Sequence, residues 1–231
     1  MRTMKLWYCL VLFITSEKGV VRGDDSRYLT GYDGLNFTGA HYQFTEYTPD
    51  LSVVQMDNSI ESLCITGQWH AYDAVNYDPN MTQAACLWRG VGFCWNTSCT
   101  NAISSVRYAG SPYGLNDDYY NLYEGTYFRG KEFRGNTNAG NLGELDKAVS
   151  SLVVTGQAAW TFFTGVDFTG SSLCVYADKH FTDGVISFDT TYFLNMDELG
   201  LPDNSIRSVA RGCLSERVLG HPGGEPAPSR R

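Results

Sequence analysis

One eight-residue pattern recurs four times in this chain and narrows its fold more than any other feature. The copies read YDGLNFTG (Tyr32 to Gly39), YDAVNYDP (Tyr72 to Pro79), YEGTYFRG (Tyr123 to Gly130) and FTGVDFTG (Phe163 to Gly170). Within each pair the copies begin 40 residues apart, and the two pairs begin 91 residues apart. A repeat of that period marks duplicated supersecondary units. Each copy opens on an aromatic residue and three of the four close on glycine. Aromatic and small residues in alternation suit a β-hairpin folded onto its own sheet, and the closing glycine marks a backbone position expected to need positive φ.

A second phrase closes each unit: DNSIES (Asp57 to Ser62), TNAISS (Thr100 to Ser105), DKAVSS (Asp146 to Ser151) and DNSIRS (Asp203 to Ser208). Each is a polar turn set directly before a strand. A unit of about 40 residues with four short strands has the length of one Greek key. One such unit cannot bury both faces, so two should pair into a sandwich. At 231 residues the chain is long enough for two such pairs.

Taken together, the two phrases resemble those of the βγ-crystallins, proteins of four Greek keys in two domains. The resemblance runs from about Tyr28 to Cys213 and implies an all-β chain of two βγ-crystallin-like Greek-key sandwich domains. The expected boundaries are residues 27–110 for the first domain, SPYGLNDD (111–118) for the linker and 119–213 for the second domain. Two departures stand out. Pro79 replaces glycine in the second unit, so that hairpin should turn differently, and ISFDTTYFLNMDELGLP lengthens the last connection of the fourth.

The ends read differently from the repeats. Arg2 and Lys5 precede an apolar run from Leu6 to Ile14, the layout of a secretory signal over residues 1–23. Cleavage is expected after Gly23, or alternatively after Ser16. The run is too short to cross a bilayer, and no later stretch is long and apolar enough for a membrane helix. An Arg22-Gly23-Asp24 tripeptide falls on that boundary and is discounted as an integrin ligand. Residues 214–231, rich in Pro, Gly and charge, read as a disordered tail.

Removing the leader removes Cys9 and leaves six of the seven cysteines, an even number in an exported chain. Aligning the repeats suggests Cys174–Cys213 within the fourth unit, Cys94–Cys99 closing the short CWNTSC loop, and Cys64–Cys86 joining the first unit to the second. A zinc site is disfavoured, because there is no CxxC and the histidines are scattered. Asn36, Asn80 and Asn96 head glycosylation sequons, all within the first pair of units.

The polar turns are the repeated candidates for a functional site. Calcium, a hard cation, takes about six to eight oxygen ligands. The resemblance implies that the turns of partner units lie side by side. The second residue of one and the fifth of the other would then share an ion with the third residue's carbonyl. On this pattern Asn58 and the carbonyl of Ser59 join Ser104, and Asn204 and the carbonyl of Ser205 join Ser150. A third set, Asn101 with the carbonyl of Ala102, meets Glu61 in place of Ser or Thr. The fourth offers Lys147 and Arg207, two cations that would repel a metal ion. One usable, weak calcium site per domain is therefore expected, the better one in the first. The competing reading is purely local, since Asn, Asp and Ser in such turns also satisfy nearby backbone N–H groups.

No HExxH, GxSxG or phosphate-cradling loop occurs, and GNTNAGNLG (Gly135 to Gly143) lacks the lysine of such a loop, so an enzyme is not expected. A formal net charge of −8 with no basic stripe opposes nucleic-acid binding. Most of the 15 tyrosines and 12 phenylalanines fall on strand or repeat positions, while Tyr119, Tyr120 and Trp95 are not explained by the repeat. The expectation is a secreted structural or binding protein. The rivals are an extracellular recognition or defence protein for a glycan, microbial surface or protein partner, and an enzyme inhibitor using the CWNTSC loop.

Overall fold

The computed structural model describes residues 27–80 and 86–221. The expected leader, its cleavage site, the Arg22-Gly23-Asp24 tripeptide and residues 222–231 lie outside them. Among the described residues there are strands and short 3-10 turns but no α-helix. The strands are β1 (Tyr28–Tyr32), β2 (His41–Phe44), β3 (Ser62–Tyr72), β4 (Cys86–Asn96), β5 (Ser105–Ala109), β6 (Tyr119–Tyr123) and β7 (Glu132–Gly135). They continue with β8 (Ser151–Thr155), β9 (Trp160–Phe163), β10 (Ser172–Val175), β11 (Lys179–Thr182), β12 (Ser187–Phe193), β13 (Ser208–Arg211) and β14 (Val218–Leu219).

Each eight-residue phrase folds as a tight corner in which its fifth and sixth residues are left-handed. The φ values are 55° and 63° at Asn36 and Phe37, 57° at both Asn76 and Tyr77, 56° and 62° at Tyr127 and Phe128, and 51° and 63° at Asp167 and Phe168. Such angles on non-glycine residues cost on the order of 1–3 kcal/mol each and persist only where neighbours over-determine them. Two contacts do so here. The first and sixth aromatics meet edge-on, with centroids 6.0 Å apart for Tyr32 and Phe37, 5.4 Å for Tyr72 and Tyr77, 5.5 Å for Tyr123 and Phe128, and 5.9 Å for Phe163 and Phe168.

The second contact is the last serine of the unit's closing phrase, which is fully buried in all four units. Ser62, Ser105, Ser151 and Ser208 each donate Oγ–H to the carbonyl of the corner's third residue: Gly34 at 2.5 Å, and Ala74, Gly125 and Gly165 at 2.6 Å. Three of them also accept the sixth residue's N–H, from Phe37 at 2.9 Å, Phe128 at 3.0 Å and Phe168 at 3.1 Å. The closing glycines are left-handed as well, at 83° for Gly39, 74° for Gly130 and 82° for Gly170. A Cβ on Gly39 would lie 2.0 Å from Asp33 Oδ1. Pro79 cannot adopt such an angle, and there the Asp78 carboxylate accepts the Asn80 N–H at 2.8 Å instead.

The units exchange strands. In the first half β3 pairs with β1 over Ser62–Thr66 and with β5 over Gln68–Tyr72. It therefore serves as the last strand of one unit and the first of the next. β4 runs antiparallel beside it from Cys86 to Asn96, with a register shift between Ile65 and Gly67. Thr48 of the first unit bridges to Val106 of the second. The second half repeats the scheme: β12 of the fourth unit pairs with β8 of the third, and Ala139 bridges to Val209. The added residues of the fourth unit extend β12 into a hairpin with β11. Each half has its own apolar core, one around Leu29, Leu63, Trp69 and Val106, the other around Leu122, Leu152, Trp160 and Val209.

Two expectations require correction. Cys64 is bonded to Cys94 and Cys86 to Cys99, not Cys64 to Cys86 and Cys94 to Cys99, while Cys174 is bonded to Cys213. The cause is register. The β3–β4 ladder sets Cys64 directly opposite Cys94, with Cα atoms 4.0 Å apart, so Cys94 belongs to the exchanged strand and not to a loop. The chain past Cys213 is also not disordered from residue 214. β14 adds to β10 as a parallel strand, Cys174 N–H donating to Arg217 O at 2.8 Å and Tyr176 N–H to Leu219 O at 2.9 Å.

A buried polar joint connects the halves. Arg107 of β5 is 2% exposed and reaches into the corner of the third unit. Its Nη1 donates to Gly130 O at 3.1 Å, its Nη2 donates to Phe128 O, and its Nε donates to Tyr72 Oη at 2.9 Å. Tyr72 Oη in turn donates to Phe128 O at 2.6 Å, and burial pushes that phenol up to about 12. The rings of Tyr77 and Tyr123 lie 4.5 and 4.6 Å from the guanidinium carbon. Replacing Arg107 with Met removes three buried hydrogen bonds, leaving Tyr72 Oη bonded to Phe128 O but Gly130 O without its guanidinium donor, and should lower the unfolding free energy by about 2–4 kcal/mol in urea titration. Ser151→Ala, which loses both corner bonds, should lower it by about 1–3 kcal/mol. A loss in the Ser151 variant no larger than that of an exposed Ser→Ala control, such as Ser52→Ala, would refute the corner's dependence on that hydroxyl.

Candidate metal centre

The four polar turns share one local geometry. Their second residues are all left-handed, with φ of 52° at Asn58, 54° at Asn101, 58° at Lys147 and 59° at Asn204. Asparagine tolerates this conformation better than most side chains, which accounts for three of the four. The turns also meet in pairs. Asn58 N–H donates to Ile103 O at 2.9 Å, and Asn204 N–H donates to Val149 O at 3.2 Å. The strand exchange brings them together, because each turn leads into a strand of the shared sandwich.

In the first half Ser104 Oγ donates to Asp57 Oδ1 at 2.6 Å, and Asp57 Oδ2 accepts from Asn58 Nδ2 at 3.0 Å. In the second half Ser150 Oγ donates to Asn204 Oδ1 at 3.4 Å, and Asn204 Nδ2 donates to Asp203 Oδ2 at 3.1 Å. Asn58 is thus linked to Ser104 through Asp57, and Asn204 directly to Ser150. The hydroxyls of Ser59 and Ser205 are shielded and make no hydrogen bond among the described residues. Carboxylate, amide, hydroxyl and carbonyl oxygens of this kind fit a hard cation. Among the described residues no group of three or more His, Cys, Asp or Glu side chains gathers in one place. A cation here would therefore meet mainly neutral oxygens with one carboxylate nearby, Asp57 or Asp203, which favours weak binding.

Sequence reasoning passed over those two aspartates because it followed the second, third and fifth turn positions only. The first position was visible as Asp in three of the four phrases. The remaining two sets differ. No hydrogen bond joins Glu61 to Asn101 among the described residues; the Glu61 N–H goes to Tyr32 O at 2.9 Å. At the fourth corner Arg207 grips Asp146 with two of its guanidinium nitrogens, Nε at 2.8 Å and Nη2 at 2.7 Å. That corner does not fit a metal ion, because a guanidinium already cross-links the two turns.

All three sequon asparagines are exposed. Asn96 Oδ1 accepts the backbone N–H of Asn36 at 2.8 Å, and Asn96 Nδ2 donates to Asn36 Oδ1 at 3.2 Å, so two of the three lie side by side.

Among solved structures, the chain is similar to Geodin, a beta-gamma crystallin from Geodia cydonium, with a TM-score of 0.58 and 17% identity over 80% of this chain and 99% of that one. That likeness shows the fold: the chain has the βγ-crystallin Greek-key architecture. Weaker overlaps exist with a betagamma-crystallin from an archaeon (TM-score 0.33, 23% identity, 42% of this chain and 99% of that one). Another is the solution structure of protein S complexed with calcium (TM-score 0.30, 16% identity, 80% and 98%). No protein-family model matches the chain, and no curated protein matches its sequence.

The ion pair carries a pH signature. The hydrogen bond from Arg207 holds the Asp146 carboxyl below its ordinary value of 3.8. A carboxylate whose folded pKa is depressed stabilises the fold above its unfolded value, and that contribution is lost as pH falls through the folded one. Arg207→Ser should therefore lower the melting temperature at pH 7 while the difference from the parent protein shrinks in strong acid. An equal deficit at pH 7 and in strong acid would show that the pair contributes nothing.

Proposed function

We propose that this is an exported, disulfide-braced structural or binding protein whose native state is stabilised by weak calcium binding at its paired turns. The observation that carries the reading is the Asn58–Asp57–Ser104 cluster, in which turns of two units bring an amide and a hydroxyl onto one carboxylate next in sequence to the shielded Ser59. Asn58 would supply its amide oxygen, Ser59 its carbonyl and Ser104 its hydroxyl, with Asp57 the nearest charge. Asn204, Ser205 and Ser150 would form the corresponding site of the second half, weakened by the nearby Arg207 cation. Calcium, when bound, would replace the turn-to-turn hydrogen bonds by shared coordination.

Export is supported by the leader pattern over residues 1–23 and by three disulfides, which persist in oxidising compartments. No described helix is long and apolar enough to cross a membrane. On this reading the domains span 27–110 and 119–219 about a 111–118 linker, the second extended past Cys213 by β14, and Asn36, Asn80 and Asn96 carry glycans. The inhibitor reading loses its footing, since Cys94 and Cys99 do not close a loop.

A second reading, recognition of a neutral glycan, is favoured by one feature. Trp88, Phe93 and Trp95 of β4, with Arg89 and Phe181, line an open cavity of about 640 Å³. Phe93 and Trp95 stand 5.2 Å apart with Phe93 exposed, and aromatic faces of this kind stack on sugar rings.

Calorimetry separates the two. A site of millimolar affinity, held at ten times its dissociation constant, adds about 1.4 kcal/mol and should raise the melting temperature by about 3–6 °C. Asn58→Ala and Ser104→Ala should abolish most of that shift. No shift at millimolar calcium rejects the calcium reading, and glycan-array binding that survives chelation supports the second.

A further inference from the structure

We propose that His70 makes the joint between the two halves releasable by acid. His70 lies on β3 in the first half, is fully buried, and stacks on Phe128 of the second half with ring centroids 4.2 Å apart and planes 17° from parallel. Tyr123 of β6 meets the same imidazole edge-on at 5.8 Å. The ring sits within a small apolar seam formed by Ala109, Tyr123, Phe128 and Val153, against which Leu87, Tyr192 and Leu194 pack.

Among the described residues the imidazole has one hydrogen-bond partner, Gln68. Thr190 of β12 donates Oγ–H to Gln68 Oε1 at 2.8 Å, which leaves the Gln68 amide nitrogen facing His70 Nε2 at 3.0 Å. In this arrangement Nε2 accepts and the neutral ring carries its proton on Nδ1, which has no hydrogen-bond partner among the described residues. Protonation would place a second N–H against the Gln68 amide. Turning that amide to accept it would still leave the charged Nδ1–H buried and without an acceptor.

Among the described residues no carboxylate acts on the ring. Arg107 on β5 and Arg89 on β4 are the cations that act on the ring, and both oppose a positive charge there. Tyr72, at the end of β3, is engaged by Arg107 and Phe128 O. The carboxylates around the joint are committed elsewhere: Asp189 of β12 to His180, Asp73 to Arg129, and Glu132 of β7 to Tyr47 and Asn121. Burial first, then the two arginines, hold His70 neutral well below the ordinary histidine value of 6.5. A depressed histidine pKa means stability that is complete above pH 6.5 and lost as pH falls through the folded value.

The proton therefore does not settle on the ring while the joint stays closed. It must either unfold the chain or let the halves part so that water reaches Nδ1. Parting requires less disruption, because each half keeps its own core on either side of the seam. Opening would bare Phe128, Tyr123 and Val153, an apolar strip able to bind a dye, a partner or a second copy.

The test uses the full mature chain, titrated from pH 7.5 toward the carboxylate range by small-angle scattering, apolar-dye fluorescence and imidazole NMR. The parent protein should expand and gain dye fluorescence several-fold below pH 6.5 while near-UV circular dichroism from the two cores persists. His70→Leu, which keeps an apolar contact on Phe128 without a titrating group, should stay compact over that range, and His180→Gln should follow the parent. Opening of His70→Leu at the parent's pH overturns the proposal. So does a protonated His70 resonance in a parent molecule of unchanged radius, a result that decides the matter even if the leucine variant fails to fold.

Discussion

The buried serine that ends each polar phrase is the contact from which the rest of the architecture follows. Four times the chain turns a corner through two consecutive left-handed residues, the second of them aromatic. Steric cost opposes that corner at every copy. One hydroxyl, held on the strand that follows, both donates to the corner's third carbonyl and, in three copies, accepts its sixth N–H. The corner is thereby tied to a strand about 26 to 43 residues away in sequence. Once the corner is pinned, the hairpin folds over its own sheet, the next strand is carried to the partner unit's sheet, and the polar turns come to rest in pairs.

Much of this was legible because the chain repeats it. The spacing of the aromatic phrases gave the unit, the closing glycines marked backbone that proved left-handed at Gly39, Gly130 and Gly170, and the polar phrases marked the turns that precede strands. Other features resist reading because they depend on register. A single shift between Ile65 and Gly67 decides which residue faces Cys64, and composition does not encode that shift. Cys94 read as a loop residue for the same reason: the strand that holds it borrows its pairing from another unit. β14 was hidden by its flanks, since two residues between Cys213 and a Pro/Gly-rich end carry no periodicity of their own.

Arg107 shows a different limit. A lone arginine in a strand ordinarily reads as a solvated edge residue, yet this one is 2% exposed and donates to two carbonyls of the opposite half. Nothing local announces it, because its acceptors are backbone atoms 21 and 23 residues away. The consequence is a joint that is polar at its centre and apolar at its margin. An apolar joint of the same area would tolerate sliding, whereas a guanidinium fixed by Phe128 O, Gly130 O and Tyr72 Oη admits one alignment of the halves. His70, stacked on the same Phe128, inherits that alignment.

The two ends of the turn array solve one mechanical problem with opposite charges. Where turns of neighbouring units meet, something must hold them, since the backbone bonds from Asn58 to Ile103 and from Asn204 to Val149 fix only one contact each. At the first-half corner the link is an acceptor-rich set, Asp57 bonded to Ser104 and Asn58. At the Asp146 corner the cation is covalently part of the chain, and Arg207 closes the pair without anything from solution. A guanidinium on a flexible side chain gives a bond whose strength depends on salt and pH but not on the supply of a metal. The chain therefore closes one rim with a carboxylate shared by hydroxyl and amide and part of the other with an internal ion pair, a difference that follows from the single arginine at the fifth position of the last turn.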